Sequence, residues 1–206
     1  RMKSWIEEFK PKGVVCSPFW RLRHIAACPH ACSYCFLNTT YGRFGFPKPI
    51  TEADLPSMEE AVGKWLAKTK CPTCGDCGWC AFCNGPGHGP VQSDVSRGIC
   101  PTCKGSGGVI LNAGELSDSF APEISALASL RLIELFRKQD RHTLLLVTKS
   151  NQVAEILKDV EPTKQVILSF SIGESYINNA GDAQAVSPLY SDRHKQTAKA
   201  GWRTRL

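Results

Sequence analysis

Three cysteines of the chain lie within eight residues, at Cys28, Cys32 and Cys35. A loop with this spacing can offer three thiolates, whereas a [4Fe–4S] cluster has four irons and usually takes four. One iron would then remain open to a small molecule. Structural zinc fits less well, because it needs four ligands. His30 could complete such a set, but we expect its side chain to point elsewhere because it lies between two ligands. The spacing therefore predicts an iron–sulfur site.

Seven of the chain's 11 cysteines lie between residues 71 and 103. They include two CxxCxGxG units, one at Cys80 and Cys83 and the other at Cys100 and Cys103. Each CxxC turn can direct two sulfurs at one metal, and the glycines allow the tight backbone turns that this requires. Two such turns complete a tetrahedral site, so these four cysteines are predicted to bind zinc.

The pairing of the remaining cysteines has alternatives. A second zinc site could form from the four other candidate ligands, which are Cys71, Cys74, Cys77 and His88. Equally, Cys71 and Cys74 could share a zinc with the CxxC turn that ends at Cys103. The three central cysteines would then form a separate set.

The bulk composition limits the class of protein. The chain has 206 residues and a formal net charge of +6, which falls to about +3 once the metal-bound cysteines are counted as thiolates. Charge alone therefore does not indicate nucleic-acid binding. Because the sequence shows no apolar run of about 18 residues and no signal segment, we expect a cytoplasmic protein without a membrane partner. In that compartment CxxC spacings indicate metal rather than disulfides. The ending after a helix and the start of a strand suggests a fragment.

Apolar periodicity predicts strands that alternate with helices after a lead-in over residues 1–20. The predicted strands cover residues 21–27, 108–114, 142–149 and 164–172, and the predicted helices cover 58–68, 122–138, 151–160 and 191–201. Ser57 and Glu60 resemble a capping box for the first helix. This alternation predicts a parallel α/β sheet, either open or closing into a barrel.

The sheet is interrupted by a segment of different composition. Residues 70–108 have almost no aliphatic side chains, so they cannot bury a core and need metal to order them. We therefore divide the chain into residues 1–69 with the cysteine loop, a zinc-binding insertion over 70–108, and further β/α units over 109–206.

Polar sequences follow the predicted strands. The cysteine loop follows the first strand, "GELSDS" the second and "TKS" the third, and the fourth ends in "SFSI". Sites in parallel α/β folds lie at the carboxyl ends of the strands. These elements are therefore expected to meet on one rim.

The CxxxCxxC loop, with Tyr34 before its last cysteine, resembles the cluster loop of radical S-adenosylmethionine enzymes. The resemblance implies a (β/α) barrel, here partial, and a [4Fe–4S] cluster whose open iron chelates S-adenosylmethionine (SAM). Reduction by a one-electron donor such as flavodoxin or ferredoxin would cleave SAM and yield a 5′-deoxyadenosyl radical that abstracts hydrogen from a substrate.

A narrower resemblance connects the chain with the spore photoproduct lyase family. It is carried by "CPHACSYCFLNTTYG", "LSDS", "VTKS", "SFSI" and "SPLYSDRHKQTAKAGW", from about Phe19 to the end apart from the insertion. It implies that the surroundings of SAM and the cluster include Tyr34, Phe36, Ser117, Asp118, Lys149 and Ser169. From its position alone, Lys149 could equally be a solvated lysine at a strand end.

One position departs from the lyase pattern. Two residues before the Ser-Asp pair, the lyases are expected to carry a cysteine that donates hydrogen, and here Glu115 stands in its place. Gly114 and Glu115 instead resemble the "GGE" stretch that contacts the methionine amino group in other radical SAM enzymes. No catalytic residue is assigned.

We therefore expect a radical SAM enzyme similar to spore photoproduct lyase, acting by family analogy on a nucleic-acid base, as in DNA repair. The alternatives are a radical enzyme acting on a peptide or small molecule, and a non-catalytic zinc-binding interaction protein. The insertion resembles the cysteine-rich repeats of DnaJ-type chaperones. It could order a loop over the rim, or could contact nucleic acid or protein through Trp79, Phe82, Arg97 and Lys104.

Overall fold

The structure is a computed structural model. It describes residues 4–9, 19–23, 48–71, 74–75, 106–171 and 190–205, with Cys28, His30, Cys35, Leu37 and Cys103, and for 190–194 the backbone alone. The strands in these residues are β1 (Ile6–Phe9), β2 (Phe19–Leu22), β3 (Ile110–Asn112), β4 (Thr143–Thr148), β5 (Val166–Phe170) and β6 (Arg203–Arg205). The helices are a 3-10 helix (Glu52–Asp54), α1 (Leu55–Lys68), α2 (Glu123–Arg137), α3 (Val153–Ile156) and α4 (Tyr190–Lys199).

The six strands form one sheet whose order follows the chain, from β1 to β6. β1 is antiparallel to β2, and every later neighbouring pair is parallel. A doubly wound sheet reverses its strand order at a switch point, and the described strands contain no such reversal. The carboxyl ends of β2 to β5 therefore lie along one continuous edge. The mixed α/β fold agrees with the sequence, and closure into a barrel stays a prediction.

The core lies between the sheet and the helices. Leu144, Leu146 and Leu168 are fully buried on β4 and β5, which are the apolar runs that the sequence predicts for parallel strands. Their helical partners include Val62 of α1 and Leu132 of α2, which are also fully buried. Among the described residues, no helix has both the length and the apolar character needed to cross a membrane.

The N-terminal part differs from the sequence prediction. The segment predicted as a lead-in contains β1. Because Glu7 and Glu8 occupy its two central positions, the strand lacks the apolar pattern by which strands are predicted. The strand predicted over residues 21–27 is β2 and begins at Phe19, while residues 24–27 lie outside the described part of the chain. α1 begins at Leu55, so Ser57 does not cap it. The capping box is formed one turn earlier, by Thr51 and Asp54 on the 3-10 helix.

Candidate functional site

A cavity of about 340 Å³ opens at the carboxyl ends of the parallel strands. Its lining comes from the cysteine loop and from the segments that follow β3, β4 and β5. The lining residues are Cys28, His30, Cys35, Leu37, Asn112, Gly114, Glu115, Ser117, Asp118, Val147, Thr148, Lys149 and Ser171. The predicted meeting of these segments on one rim is therefore observed. Cys32, Tyr34 and Phe36 lie outside the described residues.

Gly114 allows the segment after β3 to lie directly against β4. A Cβ atom at this position would be 2.4 Å from the backbone nitrogen of Val147 and 2.7 Å from its carbonyl oxygen. Real Cβ atoms do not approach backbone atoms so closely, so a larger residue would push the segment away. The glycine thus brings Glu115 to the cavity wall.

Glu115 has one paired and one unpaired carboxylate oxygen. Its Oε1 accepts a hydrogen bond from Arg21 of β2 at 3.0 Å. Its Oε2 is buried and has no hydrogen-bond partner within the described part of the chain. A buried acceptor without a partner costs free energy unless a ligand satisfies it. Glu115 is therefore suited to bind a donor such as an ammonium group.

Lys149 brings a positive charge to the lining of the same cavity. Its Nζ donates to the Ser171 hydroxyl at 2.8 Å, and both residues line the cavity. Ser169 does not line it, because its hydroxyl accepts a hydrogen bond from Arg205 at 3.0 Å. Of the two serines in "SFSI", Ser171 lies past the end of β5 and lines the cavity, while the role predicted for Ser169 beside SAM stays a prediction.

Asp118 is the most heavily hydrogen-bonded side chain described at the site. Its Oδ1 accepts bonds from the Thr148 hydroxyl at 2.8 Å and from the backbone N–H groups of Phe120 and Ala121, each at 2.9 Å. Its Oδ2 accepts from the Lys149 N–H and pairs with His30 Nε2 at 3.1 Å. Asp118 therefore lines the cavity as predicted, but its oxygens are directed into the protein.

These contacts keep Asp118 charged. Burial by itself would raise the pKa of this carboxyl group, but the hydrogen bonds from His30, Lys149 and Phe120 outweigh burial and lower the pKa below its usual value. A negative charge is thus fixed behind the cavity wall, next to the cysteine loop.

Three buried serines hold the segment after β3 against α2. The Ser117 hydroxyl, on the cavity wall, lies 3.4 Å from the Ser125 hydroxyl of α2. The Ser129 hydroxyl donates to the Ser119 carbonyl at 2.8 Å. Apolar periodicity gives no sign of Ser125 and Ser129, because both are polar residues on the buried face of α2.

A second group of cysteines lies away from the cavity. The sulfurs of Cys71, Cys74 and Cys103 lie within 4.8 Å of one another, and those of Cys74 and Cys103 are 3.5 Å apart. That separation far exceeds a disulfide bond of about 2.05 Å and is close to the roughly 3.8 Å between thiolates in tetrahedral zinc. This grouping matches the alternative in which Cys71 and Cys74 share a metal with the turn that ends at Cys103, while the predicted site of Cys80, Cys83, Cys100 and Cys103 stays a prediction.

The other predicted zinc ligands belong to the part of the insertion between Gly75 and Cys103. Cys77, Cys80, Cys83, His88 and Cys100 lie outside the described residues.

The cysteine group lies at the amino ends of the strands. Cys71 follows α1, and its N–H donates to the carbonyl of Gly107, which precedes β3, at 3.1 Å. The cavity is at the carboxyl ends of the same strands. The described ends of the insertion therefore lie at the edge of the sheet opposite the cavity.

Comparison of the chain with protein-family models, curated proteins and solved structures gave no match. The chemistry of the site must therefore be inferred from its own residues. They combine thiols, a carboxylate with an unpaired oxygen and a lysine around one cavity.

Proposed function

We propose that this chain is a radical SAM enzyme similar to spore photoproduct lyase. One observation carries the proposal: Cys28 and Cys35 of the CxxxCxxC loop share a cavity of about 340 Å³ with Glu115 and Lys149. That volume lies within the range of about 300–1,000 Å³ typical of small-molecule sites. The spacing adds Cys32 as the third ligand, so three thiolates would hold a [4Fe–4S] cluster at the cavity.

The other lining residues fit the amino-acid end of SAM. The unpaired oxygen of Glu115 is suited to accept from its ammonium group, and Lys149 with Ser171 is suited to bind its carboxylate. Opposite charges on one cavity wall match a zwitterion better than a simple anion or cation. When bound, the cluster would supply the electron for reductive cleavage of SAM, and thereby the radical that abstracts hydrogen from a substrate.

The substrate class is proposed on the resemblance alone, as a nucleic-acid base. The only cysteines on the described cavity wall are Cys28 and Cys35, and both are assigned to the cluster. Glu115 occupies the position of the expected hydrogen-donating thiol. We therefore propose base modification without a thiol donor from this segment.

We also propose that Cys71, Cys74 and Cys103 bind a structural zinc. The sulfur geometry supports thiolate ligation, and the Gly107 N–H donates a hydrogen bond to the Cys103 sulfur at 3.2 Å, a contact of the kind that orients metal ligands. This site would order the base of the insertion.

Metal analysis and SAM cleavage test the function. Full-length protein reconstituted without oxygen is expected to hold about four irons per chain in addition to zinc. It should release 5′-deoxyadenosine from SAM under a strong one-electron reductant, and Cys28→Ser should lose both properties. Zinc without iron, and no cleavage, would instead support the non-catalytic interaction protein.

Substrate class requires a separate measurement. Deuterium from a labelled nucleic-acid base is expected in 5′-deoxyadenosine if the base is the hydrogen source. Transfer from a labelled peptide or small molecule, with none from nucleic acid, would favour the alternative radical enzyme.

A further inference from the structure

His30 connects the cysteine loop to the sheet. It lies between Cys28 and Cys32 in the sequence, and its Nε2 is 3.1 Å from Oδ2 of Asp118, 88 residues further along the chain. The His30 side chain is 13% exposed and that of Asp118 is 3% exposed. The contact therefore lies inside the cavity wall and is largely shielded from water, where a charge-assisted hydrogen bond is strong.

The position of Asp118 is set by contacts other than His30. Three donors hold its Oδ1, from Thr148, Phe120 and Ala121, and the Lys149 N–H holds its Oδ2. These bonds, which do not involve the cysteine loop, connect the segment after β3 to the end of β4 through Asp118. Its remaining hydrogen-bond capacity is directed at His30 rather than at the cavity.

We propose that Asp118 and His30 form a positioning pair that holds the cysteine loop at the carboxyl-terminal edge of the sheet. His30 is neither a metal ligand nor a catalytic residue in this assignment, and Asp118 does not bind SAM. The inference rests on the proposed function, because it takes Cys28 and its two partners as ligands of an iron–sulfur cluster.

The physical reason lies in the geometry of the loop. Ligand loops need hydrogen bonds behind the ligands to keep the sulfurs in place, and loss of such contacts commonly costs about 10- to 100-fold in metal affinity. Asp118 can supply this support because its carboxylate is fixed by rigid strand ends. The hydrogen bond between His30 Nε2 and Asp118 Oδ2 then holds the cysteine loop against these strand ends.

A pair of substitutions at His30 tests the inference. His30→Gln keeps an N–H donor near the position of Nε2, whereas His30→Leu removes the donor with little change in volume. In the reconstituted full-length protein, His30→Leu is expected to lose iron to a chelator about 10- to 100-fold faster than wild type. His30→Gln should stay within about threefold of wild type, since the hydrogen bond is retained.

The electron paramagnetic resonance spectrum of the reduced cluster gives a second readout. The spectrum of His30→Leu should broaden or shift, and that of His30→Gln should match wild type. Adding Asp118→Asn to His30→Leu should accelerate iron loss no further than Asp118→Asn alone, because coupled residues are not additive. Thermal unfolding and zinc content identify any variant that fails to fold.

The outcomes separate this inference from the proposed function. If wild type binds no iron, the proposed function fails and the pair has no cluster loop to position. If wild type binds iron and cleaves SAM while His30→Leu retains iron and spectrum unchanged, the positioning pair is overturned and the proposed function stands. Equal losses in His30→Gln and His30→Leu would also overturn it, because the hydrogen bond would then be irrelevant.

Discussion

At the scale of single residues, the unpaired oxygen of Glu115 is the most informative feature of the cavity. Arg21, which holds the other oxygen, also pairs with Glu7 of β1. Burial opposes the charge of Arg21, but the two carboxylates outweigh burial and raise its pKa above the usual value. Arg21 therefore stays charged and holds Glu115 by Oε1, while Oε2 has no hydrogen-bond partner among the described residues.

Glu115→Gln is expected to weaken SAM binding by about tenfold or more, because a hydrogen bond to a charged group contributes about 1.5–3 kcal/mol. The iron content should not change, since Glu115 is not a cluster ligand. Equilibrium dialysis with labelled SAM on the reconstituted protein measures the effect.

Glu7→Gln serves as the matched control for Glu115→Gln. It removes the other carboxylate partner of Arg21, which is not on the cavity wall. SAM affinity should fall by less than about threefold, since Glu115 keeps its charge. Equal losses in the two variants would show that the effect acts through the contacts that hold Arg21 in place, against a direct role of Glu115.

At the scale of elements, a buried histidine joins the end of α1 to the starts of β3 and β4. His142 Nδ1 accepts from the Val109 N–H at 3.2 Å, and its Nε2 lies 3.2 Å from both the Leu66 carbonyl oxygen and Arg141 Nε. Burial, followed by the nearby charge of Arg141, lowers the pKa of His142 to about 4. The neutral ring is therefore part of the fold.

This histidine predicts a pH dependence of stability. The pKa in the unfolded chain is near 6.5 and in the fold about 4, so the unfolded state binds a proton first as the pH falls. Stability is complete above about pH 6.5 and decreases towards pH 4, by up to about 3 kcal/mol.

Denaturant unfolding of wild type and His142→Gln across this pH range isolates the effect. The variant should be less stable at neutral pH and should lose less stability on acidification. Because all other titratable groups are common to both proteins, only the difference between the two slopes is informative. Parallel slopes would contradict a buried neutral His142.

Gly114 and Gly63 differ in the space around them, so substitution by alanine should have opposite effects on stability. Gly114→Ala should destabilise the fold by about 1–3 kcal/mol, because its methyl group would overlap the backbone of Val147. It should also reduce SAM binding, since Glu115 is displaced.

Gly63→Ala in α1 serves as the comparison. Because nothing lies within 4 Å of the new atom, this substitution should stabilise the fold by about 0.5–1 kcal/mol. Thermal unfolding compares the two, and destabilisation of equal size would exclude the close approach as the cause.

At the scale of the whole molecule, the two cysteine groups lie at opposite edges of one sheet. Cys28 and Cys35 line the cavity at the carboxyl ends, and the three insertion cysteines lie where α1 ends and β3 begins. The edges are separated by the strands and their buried leucines. The two metals should therefore be lost independently.

Cys74→Ser is expected to lose zinc and to keep the iron cluster, while Cys28→Ser should lose iron and keep zinc. Zinc removal should cost about 4 kcal/mol of stability at a free zinc concentration 1,000 times Kd. Metal content by mass spectrometry and thermal unfolding with and without chelator check both statements. Loss of iron in Cys74→Ser would show instead that the two sites are coupled.

Much of the fold could be predicted because its signals are local. The apolar runs of β4 and β5 and the periodicity of α2 appear in short windows and agree with the structure. β1 was not predicted, because an edge strand with two glutamates depends on its partner rather than on its own pattern. The Thr51 cap was also missed, since the short 3-10 helix displaces the start of α1.

The site divides in the same way. The sequence by itself determined the residue types and spacings: the CxxxCxxC loop, Glu115, Asp118 and Lys149 at strand ends, and a cysteine-rich segment with few aliphatic side chains. Only the tertiary structure decided which groups meet, such as His30 with Asp118, Lys149 with Ser171, and Cys103 with Cys74. Spacing along the chain determines which neighbouring side chains can bind one metal. Contacts across tens of residues depend on how the strands align, and that alignment is a property of the packed sheet as a whole.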